Sequence, residues 1–164
     1  MADIRSDVTA GVAEVSAEEE LRICLFLMGA DTYAIPVEAL TEIIIPQKIF
    51  PIPTTPAYVA GIINLRGNII PIVDIRPVLA LSQEAASGQI AILRYNQMPI
   101  GIVVDAVVEI ASVPRNKIVE VPAEHALQHP GKERNRFVKS IIHREGGIAA
   151  LLDIDKVLDA IKLA

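Results

Sequence analysis

The sequence is poor in aromatic residues, in cysteine and in positive charge, and each shortage excludes something. Tryptophan is absent and aromatic residues make up 4% of the 164 residues, against a hydrophobic fraction of 52%. The apolar mass is therefore Ile, Val, Leu and Ala, and such β-branched content suits strands packed face to face. One cysteine, Cys24, rules out an intrachain disulfide and any cysteine-based zinc cluster, and fits a reducing compartment. Fifteen Lys and Arg stand against twenty Asp and Glu, a net charge of −5. That balance argues against nucleic-acid binding, which depends on neutralising phosphates. The short basic stretch Lys132, Arg134, Arg136 and Lys139 sits among Gly131, Glu133 and Asn135 and reads as a solvated loop. Long hydrophobic runs are missing too. The most apolar stretch, Tyr58 to Ile75, is broken by Asn64, Arg66, Asn68 and Asp74, so no membrane span is expected. The opening Met1-Ala2-Asp3-Ile4-Arg5 lacks the apolar core of a signal peptide, and the expectation is a soluble cytoplasmic protein.

Catalytic signatures are also lacking. The chain has no G-x-S-x-G, H-E-x-x-H, Walker A or G-x-G-x-x-G pattern. His125 and His129 stand four apart near Glu124, but no third metal ligand presents itself, and a surface turn ended by Pro130-Gly131 explains them. His143 reads as a turn residue, and Cys24, on an apolar strand, as buried and inert. Asp74 and Asp153 each follow an apolar strand and precede another apolar segment, so capping accounts for both. The reading is of a non-enzyme without metal or cofactor.

What is present is a repeat. Tyr58 to Ile75 can be laid without a gap on Phe137 to Ile154, with Gly67 falling on Gly146 and Asp74-Ile75 on Asp153-Ile154. Upstream, Ala34 to Ile43 matches Gly101 to Ile110 in the same order. Each copy reads as β. Leu21 to Met28 and Gln89 to Arg94 are leading strands, with turns at Gly29-Ala30-Asp31 and Tyr95-Asn96-Gln97. Arg66-Gly67-Asn68 and Arg144-Glu145-Gly146-Gly147 are hairpin turns. Thr55, before Pro56, is expected to cap a single helical turn. Ile154, Val157, Leu158 and Ile161 follow a helical period, with Asp153 or Asp155 available as cap. Ser82 to Gly88 divides the copies, and Pro122 to Arg136 is a polar loop. Either unit alone is too small to bury its apolar face, so the two are expected to share a seam.

Two charges stand out. Arg66 occupies a hairpin turn inside an apolar stretch, and its fork of donors suits a carboxylate or backbone carbonyls. Glu42 lies between Leu40 and Ile43 in a half-buried segment. Spacing alone leaves both open between solvated residues and a recognition surface.

The stretch Gly61-Ile62-Ile63-Asn64-Leu65-Arg66-Gly67-Asn68-Ile69-Ile70-Pro71-Ile72-Val73-Asp74-Ile75-Arg76 resembles the central motif of the CheW-like domains of bacterial chemosensory systems. Tyr33 to Ile43 and Gly101-Ile102-Val103-Val104-Asp105 resemble that family's flanking signatures, and the likeness runs from about Leu21 to Leu158. The resemblance implies an all-β fold of two tandem SH3-like five-stranded β-barrels packed across a hydrophobic seam, with a C-terminal helix. The expected organisation is a flexible leader over residues 1–18, one domain of two intertwined barrels over 19–158, and the helix end at 159–164. It implies an adaptor that binds the regulatory domain of the histidine kinase CheA and the cytoplasmic tip of chemoreceptors, with ring assembly alongside the kinase compatible with that role. By similarity, Leu40, Glu42, Gly61 and Arg66 match contact positions, Asn64 and Gly67 shape the turn presenting Arg66, and Val104 and Asp105 border the receptor groove. An adaptor of a non-flagellar pathway, serving twitching motility or cyclic-di-GMP control, is the alternative within the fold. A small β-barrel enzyme or ligand-binding protein using Asp74, Asp153 and the histidines is the alternative outside it.

Overall fold

Strand β1 (Glu20–Met28) shows how this chain folds, because both of its faces are buried. Ile23 and Leu25 point into one apolar cluster and Cys24, Phe26 and Met28 into another, none more than 2% exposed. A strand alternates its side chains between two faces, so a continuous apolar run serves two cores at once. The remaining strands are β2 (Asp31–Pro36), β3 (Leu40–Ile44), β4 (Val59–Leu65), β5 (Asn68–Val73), β6 (Ile90–Tyr95), β7 (Met98–Val103), β8 (Ala106–Pro114), β9 (Ile118–Glu120), β10 (Val138–Arg144) and β11 (Gly147–Leu152). Helix α1 (Ile154–Ile161) follows β11. The computed structural model describes residues 20–56, 58–81, 88–121 and 136–161. The leader, most of the Ser82–Gly88 boundary and of the Pro122–Arg136 loop, and with them His125 and His129, lie outside the described residues.

The strands form two sheets, in the orders β8-β1-β2-β11-β10-β9 and β3-β6-β7-β5-β4. Neither sheet is one copy of the repeat. The first takes its leading hairpin, β1–β2, from the first copy and its other strands from the second, and the second sheet does the reverse. The exchange happens at two short crossings. Val37–Ala39, a single 3-10 turn, carries the chain from β2 to β3, and Val104-Asp105 carries it from β7 to β8. The joins inside each sheet are parallel and equivalent: Leu151 lies opposite Ala34, and Ile72 opposite Gly101.

Irregularities recur in register as well. Pairing shifts by one residue between Val59 and Gly61, and between their counterparts Val138 and Ser140. It shifts between Leu40 and Glu42, and again in the β1–β8 pairing, where Leu25 faces Glu109 and Phe26 faces Val107. Bulges bend a strand and raise its local twist, so their repetition shows that both sheets are curved by the same device. The copies differ at the outer edge. β9 pairs with β10 over three residues, whereas its counterpart is the single bridge from Phe50 to Ile62. Pro46, Pro51 and Pro53 flank that bridge, and proline cannot donate to a ladder. One sheet therefore has six strands and the other five.

Three cores result. One lies inside the five-stranded unit (Ile63, Ile72, Ile90 and Ile92 among others) and one inside the six-stranded unit (Ile23, Leu25, Ile142 and Leu151). The third is the seam, where Phe26, Tyr33 and Ile35 of one sheet meet Leu93, Ile100 and Ile102 of the other. Helix α1 adds Ile154, Val157, Leu158 and Ile161 to the seam. Asp153 caps it: its Oδ1 accepts the Lys156 N–H at 3.2 Å. Asp74 accepts the Arg76 N–H at 2.9 Å and so caps the turn after β5. Both caps were expected, and the seam likewise. The Thr55 cap is not found: its hydroxyl donates back to the Ile52 carbonyl at 2.8 Å, and the segment makes one turn closed from Val59 N–H to Pro56 O.

Candidate partner-binding surface

The hairpin β4–β5 ends in the pair Leu65–Asn68, leaving a two-residue loop, Arg66-Gly67, with φ of 50° and 87°. Positive φ at both positions gives the turn whose twist matches a hairpin, and glycine at the second position adopts it without a Cβ penalty. Asn64 fixes the tip by accepting the Gly67 N–H on its Oδ1 at 2.9 Å. Arg66 is thereby presented on a rigid support instead of a loose loop.

Its guanidinium forms an ion pair with Glu42 on β3. Those groups come from the two opposite edges of the five-stranded sheet, so the contact requires the sheet to curl until its ends approach. Arg66 remains 67% exposed and Glu42 31%. An exposed pair of this kind contributes about 0.2–1 kcal/mol to stability, too little to explain a built turn around it. Glu42 sits opposite Ile92 of the inner core, while Leu40, before the bulge, is opposite Leu93 and packs half-buried on the seam. The strand thus sends a charge to the mouth of the unit and an apolar side chain to the seam within three residues.

Gly61 lies beneath a second exposed feature. Phe50 exchanges two backbone hydrogen bonds with Ile62, at 2.8 and 2.9 Å. A Cβ on Gly61 would stand 2.3 Å from the Phe50 carbonyl oxygen, and its φ is +146°. Glycine is what permits the proline-rich segment to lie on β4, where Ile45 and Phe50 are 74% and 48% exposed.

Val104 and Asp105 stand apart from this tip, at the β7–β8 crossing. Val104 is wholly buried in the seam, with its N–H on the Gln89 carbonyl at 3.0 Å. The Asp105 carboxylate pairs with Arg76 and accepts the Gly29 N–H at 2.7 Å. The structure therefore gathers Glu42, Asn64, Arg66 and Gly67 at one tip, with Leu40 beside them and Gly61 under the adjoining segment, and holds Val104 and Asp105 elsewhere.

The second hairpin turn was expected from the sequence, but the ion pair at its tip was not. Arg144, at the end of β10, donates to Glu109 on β8 at 3.2 Å. Glu109 is the repeat counterpart of Glu42, and Arg144 falls one position before the counterpart of Arg66. The aligned glutamates were the signal that could have located it. A cavity of about 180 Å³ lies under this pair, lined by Ile23, Leu25, Val113 and Ile142. Cys24 is buried, and burial pushes its thiol pKa up. Among the described residues no cluster of three metal-ligating side chains occurs, and no helix is long and apolar enough to cross a membrane.

Comparison with known proteins gives a consistent result. Residues 22–162 match the model of the CheW-like domain. The chain is 26% identical to a chemotaxis protein CheW of Helicobacter pylori over 94% of this chain and 91% of that protein. It is 28% identical to one of Bacillus subtilis over 90% and 91%. The crystal structure of the scaffolding protein TtCheW from Thermoanaerobacter tengcongensis superposes with a TM-score of 0.72, at 26% identity, over 84% of this chain and 91% of that one.

Proposed function

The chain belongs to the CheW-like domain family, and on that premise we propose that it is a non-enzymatic adaptor coupling chemoreceptors to a histidine kinase. In this reading it binds the regulatory domain of CheA and the cytoplasmic helical tip of the receptors, and so controls kinase activity. It works in the cytoplasm, recruited to membrane receptor arrays, where ring assembly with the kinase is compatible with this role.

The observation that carries the proposal is the Arg66–Glu42 pair on its rigid turn. Charges that are exposed, held in place and worth little to stability are suited to setting register and excluding wrong partners. Beside them, Leu40 offers an apolar contact at the edge of the seam, the combination that seats an amphipathic helix in a groove. Gly61 supports the surface by letting the Phe50 segment lie flat. Val104, being buried, acts only by shaping the crossing on which Asp105 stands.

The test is a calorimetric titration of the full chain against each CheA regulatory domain of the same genome, with Arg66→Glu and Glu42→Lys alongside. Binding by the wild type, weakened by at least about tenfold in a folded Arg66→Glu variant, is the expected result for a register-setting charge. Which kinase binds also assigns the pathway, flagellar or otherwise. Failure to bind any of them would remove the function and leave the fold untouched.

A further inference from the structure

Arg76 is almost entirely buried, 4% exposed, at the end of the apolar stretch after β5. Its Nη2 donates to Asp105, whose other carboxylate oxygen accepts the Gly29 N–H at 2.7 Å. The Asp105 N–H donates to the Leu27 carbonyl at 2.9 Å. Four chain segments meet here: the turn after β5, the β7–β8 crossing, the end of β1 and the β1–β2 turn. The first belongs to the five-stranded sheet, the last two to the six-stranded sheet, and the crossing joins them.

As a stabilising device the arrangement is poor. Arg76 Nη1 is buried without a hydrogen-bond partner among the described residues, and the Asp74 carboxylate stands 4.0 Å from it, beyond hydrogen-bond reach. Burying a guanidinium with one arm unsatisfied costs free energy that a well-packed apolar side chain avoids. Arg76 does supply direction: a guanidinium makes hydrogen bonds only in the plane of its fork, whereas apolar contacts let two surfaces slide. Among the described residues the other crossing shows no such contact. Glu38, the counterpart of Asp105, is exposed in its 3-10 turn.

We infer that Arg76 is a positioning residue that fixes the two sheets relative to each other, acting through Asp105, and so holds the seam edge in its partner-binding arrangement. The part concerning binding rests on the proposed adaptor function; the part concerning the sheets does not. Asp105 then influences partners by holding the crossing in place. Because its side chain is 37% exposed, it stays hydrated when Arg76 is replaced, and no stranded buried charge confuses the result.

The test uses the full chain carrying spin labels at Arg94→Cys on β6 and Lys139→Cys on β10, exposed positions in different sheets, Cys24 being buried beyond labelling. In the otherwise unaltered chain the inter-label distance should be narrowly distributed. Arg76→Met should broaden it while the melting temperature stays within about 4 °C, the shift a small stability change produces in a chain of this size. Asp105→Asn should broaden it from the other side of the contact. Ile142→Val, in the inner core of the six-stranded unit, should leave it narrow. If Arg76→Met leaves the binding arrangement populated a tenth of the time, affinity for the kinase domain falls about tenfold. A distribution as narrow in Arg76→Met as in the unaltered chain would overturn the inference. Absence of kinase binding by the unaltered chain would instead defeat the adaptor reading, with the distances still deciding about Arg76.

Discussion

The two hairpin tips occupy equivalent places in a duplicated chain and have diverged in chemistry. At the first, Arg66 and Gly67 both take positive φ and the arginine sits at the apex. At the second, Glu145 takes the apex, only Gly146 of the two loop residues has positive φ, and the pairing arginine has moved back to Arg144 on the strand. Both tips pair with a glutamate at the same repeat position, Glu42 or Glu109. The scaffold beneath is shared down to its bulges and parallel joins. Duplication thus preserved what folds the chain, and the exposed side chains changed. One unit offers a forked cation at its apex, the other a carboxylate.

The largest expected effect comes from making the first unit like the second at Gly61, whose counterpart is Ser140. Ser140 pairs with Glu120 without positive φ, whereas at Gly61 the Phe50 carbonyl is too close for any Cβ. Gly61→Ser should cost about 2–3 kcal/mol in urea unfolding, in the upper range for single substitutions. The reciprocal Ser140→Gly should cost about 0.5–1 kcal/mol, chiefly backbone entropy. Equal costs would mean that the outer edges are built alike after all.

A smaller difference separates the segments after the two hairpins. Asp153 caps a true helix, and Asp153→Ala should lower stability by about 1 kcal/mol, the usual worth of such a cap. Thermal melts with and without the substitution would check it. The smallest effect is at the β6–β7 turn, where Tyr95 donates to Asp159 on α1. That hydrogen bond, more than its partial burial, raises the Tyr95 pKa above its ordinary value of 10.0. The folded chain therefore holds this proton more tightly than the unfolded one. Its contribution is complete below pH 10.0 and is lost as pH rises through the folded value. Tyr95→Phe should remove that alkaline decline, which unfolding curves across the range would reveal.

Much of this was legible in the chain itself. The short apolar strands, the hairpin turns, the helix at Ile154–Ile161 and the caps at Asp74 and Asp153 are local, and local chemistry fixes them. Which strands exchange was not, because Val37–Ala39 and Val104-Asp105 are no longer than turns within a sheet; the intertwining was expected from the family resemblance alone. Nor was the meeting of Arg66 with Glu42, since residues on opposite sheet edges touch only after the sheet curls. Arg76 could be quoted in a motif without revealing its burial. Charged residues in apolar stretches are ambiguous until the fold decides which face they occupy.

The most direct measurement sets the two tips against each other: titration of the full chain with the proposed partners, a CheA regulatory domain of the same genome and a receptor tip, comparing Arg66→Glu with Arg144→Glu. At least one partner should lose about tenfold or more in affinity with Arg66→Glu, a charge reversal at an interface, and Arg144→Glu should leave that same partner unaffected. Equal losses from both, or none from Arg66→Glu in a folded chain, would contradict the claim that the first tip carries recognition.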